Sequence, residues 1–127
     1  MGRLGDGWLS GQNSTDAEVV GQLKIYREAA AKSGRATRAV LRRDIFVADS
    51  DAAAHAEVAR LLAEGYRGTG KVDLLVCRAA IVVERLARYH DLGFEQVMVR
   101  HITGDHWLMP RWFELIRDCV MRAIREL

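Results

Sequence analysis

The residue best suited to chemistry in this sequence is His101, which follows a strongly apolar segment near the C-terminus. An imidazole titrates near neutral pH, so it can exchange a proton or hydrogen-bond a cofactor or a substrate oxygen. The competing interpretation is a structural histidine whose hydrogen bonds are satisfied in a partly buried position. The residue types therefore offer His101 as the single catalytic candidate.

The histidines and acidic residues do not predict a metal site. His101, Asp105 and His106 are close in sequence, but their spacing matches no established ligand pattern. His55 and His90 belong to predicted helices elsewhere in the chain. Asp105 is instead predicted to cap the last helix, because an aspartate side chain accepts hydrogen bonds from the free N–H groups of a helix start.

The cysteines and tryptophans are predicted to be structural. Cys77 follows an apolar run and Cys119 lies on an apolar helix stripe, so both are expected in the core rather than as nucleophiles. Two cysteines are too few for a disulfide framework, which favours a reducing, cytoplasmic location. Packing in the core or at a barrel seam, rather than stacking on a ligand, is expected of the tryptophans at positions 8, 107 and 112.

Length and composition limit the classes of protein to which the chain can belong. Its 127 residues are enough for one domain, which we assign to residues 1–127. The formal net charge of +2 argues against a nucleic-acid-binding protein, and no apolar stretch is long enough to cross a membrane. Arginines at positions 35, 38, 42 and 43 form a local basic cluster, which we interpret as a solvated loop and strand edge rather than an anion site.

Predicted strands and helices alternate along the chain. Thr15 and Glu18 have the spacing of a capping box, so a helix is expected from there to Gly34. Further helices are expected over 51–65 and 79–92 and after Asp105, and Gly93 is expected to close the helix over 79–92. Strands are expected over 40–47 and 96–102, and a loop over 66–70. Residues 74–76 are either a short buried strand or the lead into the next helix. This alternation predicts parallel strands joined by helices.

Apolar spacing also predicts which residues face the core. In the first helix they are Ala17, Val20, Leu23, Tyr26 and Ala30. In the second helix they are Ala52, Ala56, Ala59 and Leu62, and in the third Ile81, Val82, Leu86 and Tyr89. The last helix carries a wide stripe that includes Leu108, Trp112, Leu115, Cys119 and Ala123. The strand over 96–102 is apolar enough to be covered on both faces.

The carboxyl ends of the strands are the place to expect a ligand, because parallel α/β folds bind their ligands at that edge. The candidate residues at this edge are Ser10 and Gly11 after the first strand, Ala48 and Asp49 after the second, and His101, Thr103 and Asp105 after the last.

Two segments resemble the bacterial luciferase-like, flavin-dependent oxidoreductases. Residues 3–9 (RLGDGWL) resemble the A-x-x-A/G-D-G-W strand motif of that family. Residues 99–106 (VRHITGDH), followed by 113–116 (FELI), resemble its last strand and C-terminal helix. Residues 44–50 (DIFVADS) and 65–68 (GYRG) fall between them in the expected order. The resemblance thus consists of several short motifs in the correct order over nearly the whole chain.

The resemblance implies a fold and a cofactor. Family members fold as a (β/α)₈ barrel, which needs about 250 residues or more, so the chain is expected to be the C-terminal portion of such a barrel, its last three to four β/α units. Its first strand would correspond to the sixth barrel strand, without the Gly/Ser-rich phosphate turn that precedes it in many members. Reduced FMN, or the deazaflavin F420, would act on a small organic substrate by oxygenation or hydride transfer.

The carboxyl edge and the resemblance together suggest cofactor contacts at Ser10, Gly11, Arg78 and Thr103, with His101 as the catalytic residue. Where relatives have Gly-Ser/Thr-Pro-Glu at a helix start, this chain has CRAA at residues 77–80. Arg78 is then either a phosphate contact at a helix start or an ordinary solvated arginine.

Two functions stay open from the sequence. The leading one is a luciferase-like flavin-dependent monooxygenase or oxidoreductase. The alternative is a non-catalytic truncated homologue that acts as a subunit or interaction module, because the phosphate turn and the earlier strands are missing. A barrel segment would also expose strand edges and an apolar inner face, so the chain is expected to form a homodimer.

Overall fold

The computed structural model describes residues 5–12, 14–34, 38–66, 74–103 and 105–126, and its strands and helices alternate as predicted. In chain order the elements are β1 (Trp8–Leu9), α1 (Asp16–Lys32), β2 (Ala39–Ala48), α2 (Asp51–Ala63), β3 (Leu75–Arg78), α3 (Ala79–Asp91), β4 (Gln96–His101), α4 (Met109–Leu115), a π-helical turn (Ile116–Met121) and α5 (Arg122–Ile124). The apolar run before α3 is therefore a strand. Most of the loop expected over 66–70, and Arg35 of the basic cluster, lie outside the described residues.

Strand β2 is the centre of a four-stranded parallel sheet. Val40 pairs with both Leu9 of β1 and Gln96 of β4, so these two strands lie on opposite edges of β2. Ile45 likewise pairs with both β3 and β4, which puts β3 on the edge that β1 occupies. Both β1 and β3 therefore line one edge of β2, one near each end, and β4 lines the other.

Helices cover both faces of the sheet because the chain changes direction at β2. The step from β2 to β3 reverses the step from β1 to β2, so right-handed connections put α1 and α2 on opposite faces. Successive side chains of β2 point to opposite faces of the sheet, so they enter two separate cores. Leu41, Ile45 and Val47 pack into the larger core with α1, α3 and the C-terminal helix. Phe46 packs into a smaller core with Val58 of α2.

This strand order differs from that of a closed barrel. Consecutive units of a (β/α)₈ barrel place each strand beside the next one in sequence, with every helix on the outer face. Here β4 pairs with β2, and α2 lies on the face opposite α1. The structure is thus a mixed α/β fold with an open parallel sheet over the described residues, and the expected barrel segment is not shown.

Helix α1 begins as predicted, but its buried face is rotated. The Thr15 hydroxyl accepts a hydrogen bond from the Glu18 N–H at 3.3 Å, and the Glu18 carboxylate accepts one from the Thr15 N–H at 2.8 Å. Its buried residues are Val19, Leu23, Tyr26 and Ala30. The predictions for Ala17 and Val20 are wrong, since both are exposed.

The predicted buried face of α2 is wrong throughout. Its buried residues are Ala54 and Val58, whereas the exposed residues include Ala52, Ala56, Ala59 and Leu62. Both sets have helical spacing because alanines occur on several sides of this helix. The pattern alone therefore does not select the stripe that meets the sheet.

Helix α3 ends as predicted, at a glycine. Gly93 has φ +101°, and a Cβ at this position would lie 2.7 Å from the Arg27 guanidinium, so glycine is the residue that fits. The buried residues of α3 include Val82, Leu86 and Tyr89, as the spacing predicted. None of the helices within the described segments is both long enough and apolar enough to cross a membrane.

Strand β4 is less buried than predicted. Val97 and Met98 are 37% and 50% exposed, so the strand is not covered on both faces. Within the described part of the chain β4 pairs with β2 alone, which makes it an edge strand of the sheet.

The C-terminal helix departs from prediction at three residues. Asp105 does not cap it; its carboxylate accepts the Trp107 N–H at 2.9 Å in a turn, and the helix begins later, at Met109. Trp107 is 91% exposed rather than in the core. The π-helical turn changes the repeat of the helix, so Val120 is buried and Cys119 is exposed, contrary to the core position predicted for that cysteine.

Candidate functional site

A cleft of about 480 Å³ lies at the carboxyl end of β2, between α2 and α4. We call it the β2 cleft. Its walls are mainly apolar and come from β2, from α2 and from the segment that leads into α4; they include Phe46, Ala48, Ala53, Ala56, Leu108 and Trp112. It occupies the edge of the sheet at which parallel α/β folds bind ligands.

The charged groups of the β2 cleft are already paired with one another. Arg111 of α4 donates two hydrogen bonds to the Asp49 carboxylate, one of them Nε to Oδ2 at 3.2 Å. Arg60 of α2 donates from Nε to Oε2 of Glu57 at 3.1 Å and from Nη2 to Oε1. These hydrogen bonds lower the pKa of Asp49 and of Glu57 despite the opposing effect of burial. The cleft therefore carries two cations and two anions, with no net charge.

His101 lies behind one wall of this cleft. Its ring centroid is 4.5 Å from that of Trp112 and 5.6 Å from that of Phe46, both of which line the cleft. Burial lowers the pKa of His101, an effect that the Thr103 backbone only partly opposes. The imidazole is therefore neutral at neutral pH, so it offers one hydrogen-bond donor and one acceptor.

Three polar atoms in this aromatic cluster are buried and make no close hydrogen bond in the described part of the chain. They are the indole Nε1 of Trp112 and both ring nitrogens of His101, which has only a weak interaction with the Thr103 backbone. Most buried polar side-chain atoms in native proteins have a partner, so a group of three without one marks a site that a bound molecule or water can complete.

Arg78 and Thr103 lie at the same edge as the cleft. Arg78 pairs with Ala48 in the sheet; its backbone N–H donates to Asp51 at 2.7 Å, and its Nε lies 3.7 Å from the same carboxylate. Thr103 donates from its hydroxyl to Glu57 at 3.2 Å. Asp49, predicted at this edge, does line the cleft.

Ser10 and Gly11 lie elsewhere, which corrects their predicted placement at the shared edge. Strand β1 pairs with the beginning of β2, and the Ser10 hydroxyl accepts the Arg42 N–H at 2.8 Å. At about 3.3 Å per residue, Ser10 is roughly 20 Å from the carboxyl end of β2. Ser10 is buried and hydrogen-bonded within the sheet, so the structure does not bring it together with His101, Arg78 and Thr103.

Sequence reasoning missed two Asp–Arg–Tyr clusters on opposite faces of β2. On the α1 side, Arg43 is fully buried and contacts Asp16 at 3.2 Å and the Tyr89 hydroxyl at 3.3 Å. Burial would raise the pKa of Asp16, but hydrogen bonds from Tyr89 and Arg43 outweigh it and lower that pKa. Arg43 is therefore not the solvated arginine that was predicted.

On the α2 side, the fully buried Asp44 accepts two hydrogen bonds from Arg100, one of them at 2.9 Å, and another from the Tyr66 hydroxyl. Burial, and then the neighbouring Asp44, raise the pKa of Tyr66. A signal for both clusters was present in the sequence. Adjacent charged residues inside an otherwise apolar strand must be paired when the strand is buried.

No metal site is indicated by the geometry. Within the described ranges there is no group of three or more His, Cys, Asp or Glu side chains that could hold an ion. Cys77 is buried as predicted, and burial raises the pKa of its thiol, which keeps it protonated and unreactive.

The fold and the site define a class of protein: a mixed α/β protein with a candidate ligand cleft at the carboxyl end of a parallel strand. A comparison with protein-family models gives the family. The model described as luciferase-like monooxygenase matches residues 1–101 of the 127. The chain therefore belongs to the luciferase-like monooxygenase family, as the sequence motifs suggested. A comparison with curated proteins found no match.

Proposed function

We propose that this chain is a flavin-dependent oxidoreductase or monooxygenase domain that uses reduced FMN or F420 on a small organic substrate, and that its sequence, though not its observed strand order, corresponds to the C-terminal part of the (β/α)₈ barrel of its family. The observation that carries the proposal is the family match over residues 1–101, which ends on His101. The β2 cleft supports it, because it lies at the edge of the sheet where this class of fold binds ligands.

The residues at this edge fit such a cofactor in two respects. The apolar walls of the β2 cleft, with Phe46 and Trp112, suit a planar ring system. Arg78 precedes α3, whose first N–H groups have no side-chain cap, so a phosphate would meet both a cation and a helix start. Asp51 lies beside Arg78 and competes with an anion for it. Ser10 and Gly11 do not take part in this arrangement.

The protein residues have three tasks in this proposal. A bound reduced flavin or deazaflavin supplies the hydride or the reaction with dioxygen. Arg78 and the start of α3 hold the phosphate, and the apolar walls of the β2 cleft exclude water from the reacting groups. His101 is neutral, so it acts through a hydrogen bond to a ligand oxygen or nitrogen rather than as a positively charged acid.

Cofactor binding by the full chain tests this proposal directly. Titration with FMN and with F420, followed by fluorescence quenching, should reveal saturable binding of at least one of them. Arg78→Ala should raise the dissociation constant about tenfold, because a charge-assisted phosphate contact is lost. Arg88→Ala, which removes an exposed arginine at the other end of α3, is the matched control and should leave binding unchanged.

Two results would contradict the proposal at different levels. No quenching by either cofactor at high micromolar concentration would reject cofactor binding by this chain. Equal dissociation constants for the two arginine variants would reject the phosphate position while leaving cofactor binding intact.

The proposed partner is a second copy of the chain, which would dock along β4. This strand has one edge unpaired within the described residues, and Val97 and Met98 are substantially exposed on it. Unpaired strand edges bind other strands readily. Light scattering should therefore report twice the 14.3 kDa of one chain, and Met98→Lys should shift the sample toward monomer. A monodisperse monomer with a cooperative melt would reject this partner.

A further inference from the structure

The exposed side of the C-terminal helix forms a groove that is separate from the β2 cleft. Its volume is about 480 Å³, and its lining comes from residues 113–125. The β2 cleft takes no residue of this helix beyond Trp112, so the two surfaces share no side chain. The opposite side of the helix is already occupied, because Leu115 and Val120 are buried in the larger core. We call the exposed surface the C-terminal groove.

The π-helical turn aligns the residues that line this groove. Ile116 and Met121 are five positions apart, and so are Arg117 and Arg122. Residues with this spacing lie about 140° apart around the axis of a regular α-helix. The i→i+5 hydrogen bonds of a π-helix bring them close to one face instead. The turn over Ile116–Met121 therefore places both pairs on the lining of one groove, and such turns are frequent at functional sites.

The floor of the C-terminal groove is apolar. It consists of Phe113, Ile116 and Met121, and the first and last of these are 55% and 40% exposed. Met121 also lines a smaller groove of about 290 Å³, which includes Phe94 and Val97 near the start of β4. The apolar surface thus continues from the helix toward β4. A contiguous surface of this kind marks an interaction site and has room for a segment of polypeptide.

The charge of the C-terminal groove is positive. Its lining contains one carboxylate, Asp118, and three arginines, at positions 117, 122 and 125. Arg117 donates to that carboxylate from Nε at 2.6 Å and from Nη2 at 2.7 Å. The side chains of Arg122 and Arg125 form no ion pair or hydrogen bond within the described part of the chain. The β2 cleft differs in this respect, because both of its arginines are held by carboxylates on the same lining.

Charge and shape together indicate the class of partner. Two unpaired guanidinium groups beside an apolar floor complement a helix whose carboxylates flank a row of apolar side chains. A membrane surface is a poorer match, because interfacial helices present a broad apolar face. The exposed face here is concave and mixes three apolar side chains with four charged ones. A second copy docked symmetrically would bring the unpaired arginines of both copies together, and these would repel each other.

We propose that the C-terminal groove is a docking site for an acidic, amphipathic helical segment of a partner protein. Phe113, Ile116 and Met121 contact the apolar side chains of that segment, and Arg122 and Arg125 bind its carboxylates. Because the groove shares no residue with the β2 cleft, docking there requires neither a flavin nor a substrate.

An acidic peptide of defined pattern is the probe for this site. It is a fluorescein-labelled peptide of about 18 residues, long enough to form a helix, with leucines at every third or fourth position and glutamates beside them. Fluorescence anisotropy with the full chain should show saturable binding at micromolar concentrations. The same peptide with glutamine at every glutamate keeps the apolar row without the charge. It should bind at least about fivefold more weakly.

Two double variants of equal charge separate docking in the groove from general electrostatic attraction. Arg122→Gln with Arg125→Gln should raise the dissociation constant of the acidic peptide at least about tenfold and remove its advantage over the glutamine peptide. Lys24→Gln with Arg88→Gln lowers the net charge of the chain equally, at exposed positions of α1 and α3 outside the groove. This control should change the dissociation constant less than about twofold.

A second pair of variants tests the apolar floor. Phe113→Ala should raise the dissociation constant about fivefold, because the peptide loses an aromatic contact. Leu62→Ala, which removes an exposed apolar side chain of α2, should leave it unchanged. The Phe113 ring packs 5.1 Å from that of Trp112, so Met121→Gln replaces Phe113→Ala if that variant is poorly folded.

Several results would overturn the proposal. They are the absence of saturable binding, equal affinity for the two peptides, equal effects of the two double variants, and an unchanged dissociation constant in both floor variants. Vesicles with phosphatidylglycerol that bind the wild type but not the arginine double variant, without peptide binding, would assign the groove to a membrane. A lower mass of this variant in light scattering would assign it to a second copy. None of these measurements contains flavin, so they are independent of the cofactor titrations.

Discussion

The two faces of β2 bury charge in similar ways but differ in how much apolar packing surrounds it. The face toward α1 and α3 carries Leu41, Arg43 and Ile45, all fully buried within the larger core. The face toward α2 carries Asp44 and Phe46 above a smaller core that opens into the β2 cleft. The first face therefore supports the stability of the fold, and the second combines a thinner core with the candidate site.

In both clusters the fully buried charge belongs to β2 and its partner is partly exposed. The side chains of Asp16 and Arg100 are 24% and 43% exposed, while those of Arg43 and Asp44 are completely covered. Removal of the partly exposed partner leaves a buried charge without its counter-charge, and this is the more destabilising of the two possible removals. This asymmetry and the difference in packing give four predictions, in order of expected effect.

Asp16→Ala and Arg100→Ala should each lower the free energy of unfolding by about 3–5 kcal/mol at pH 8, because each leaves a buried charge without its counter-charge.

Urea denaturation at pH 8 measures these losses. Arg117→Ala, which breaks an exposed pair with Asp118, is the control and should leave the midpoint unchanged. Losses for Asp16→Ala and Arg100→Ala no larger than that of this control would contradict the account of the two buried charges.

Matched valine truncations compare the packing of the two faces. Val82→Ala on α3 should cost about 2 kcal/mol, and Val58→Ala on α2 about 1 kcal/mol, because the smaller core can relax around the lost methyl groups more easily. Val82 is fully buried and Val58 is 6% exposed. Thermal or urea unfolding measures both, and a larger loss for Val58→Ala would reverse the comparison.

His101 should make the protein less stable in mild acid. Because its pKa is lowered by burial from the ordinary value of 6.5, the unfolded chain binds more protons than the folded chain just below that pH. The free energy of unfolding of the wild type should therefore fall between pH 7.5 and 5.5. The fall should be smaller in His101→Gln, by up to about 1.4 kcal/mol for each unit of pKa difference. If the free energy of unfolding depends on pH equally in the wild type and in His101→Gln, the pKa of His101 does not change on unfolding.

The smallest effect is expected at a residue that sequence periodicity put in the core. Leu62 is 50% exposed on α2, so Leu62→Ser should change the free energy of unfolding by less than about 0.5 kcal/mol. The same denaturation experiment measures it. A loss comparable to that of Val58→Ala would mean that Leu62 is packed after all.

Sequence reasoning succeeded where the signal was local. The capping box at Thr15 and Glu18, the glycine that closes α3, and the strand at β2 depend on residues within a few positions of one another. The family was also readable from short motifs, and the match over residues 1–101 confirms the family; most of the motif at 99–106, and that at 113–116, lie outside the matched residues. Local hydrogen bonds and backbone preferences act before the chain is packed, so these features appear in the sequence itself.

Sequence reasoning failed where the outcome depended on distant contacts. The alanine-rich α2 has several stripes of similar hydrophobicity, and only docking against Phe46 selects the one with Ala54 and Val58. The π-helical turn changes the repeat of the last helix and exposes Cys119. Arg111 of the cleft pairs with Asp49, which lies 62 residues away in sequence, so no local pattern indicates this partner.

The sequence by itself determined the alternation of strands and helices, the family, and the choice of His101 as the residue to examine. Only the tertiary structure decided that β4 pairs with β2, that Ser10 is separated from the other candidates, and that Trp112 joins His101 beside a cleft. The physical reason is the distance along the chain between the residues that interact. Helix starts, turns and strand propensity depend on neighbours in the chain. Strand order and the partners of buried charges depend instead on distant segments such as β2 and β4, which bring together Asp44 and Arg100 across 56 positions of sequence when the sheet assembles.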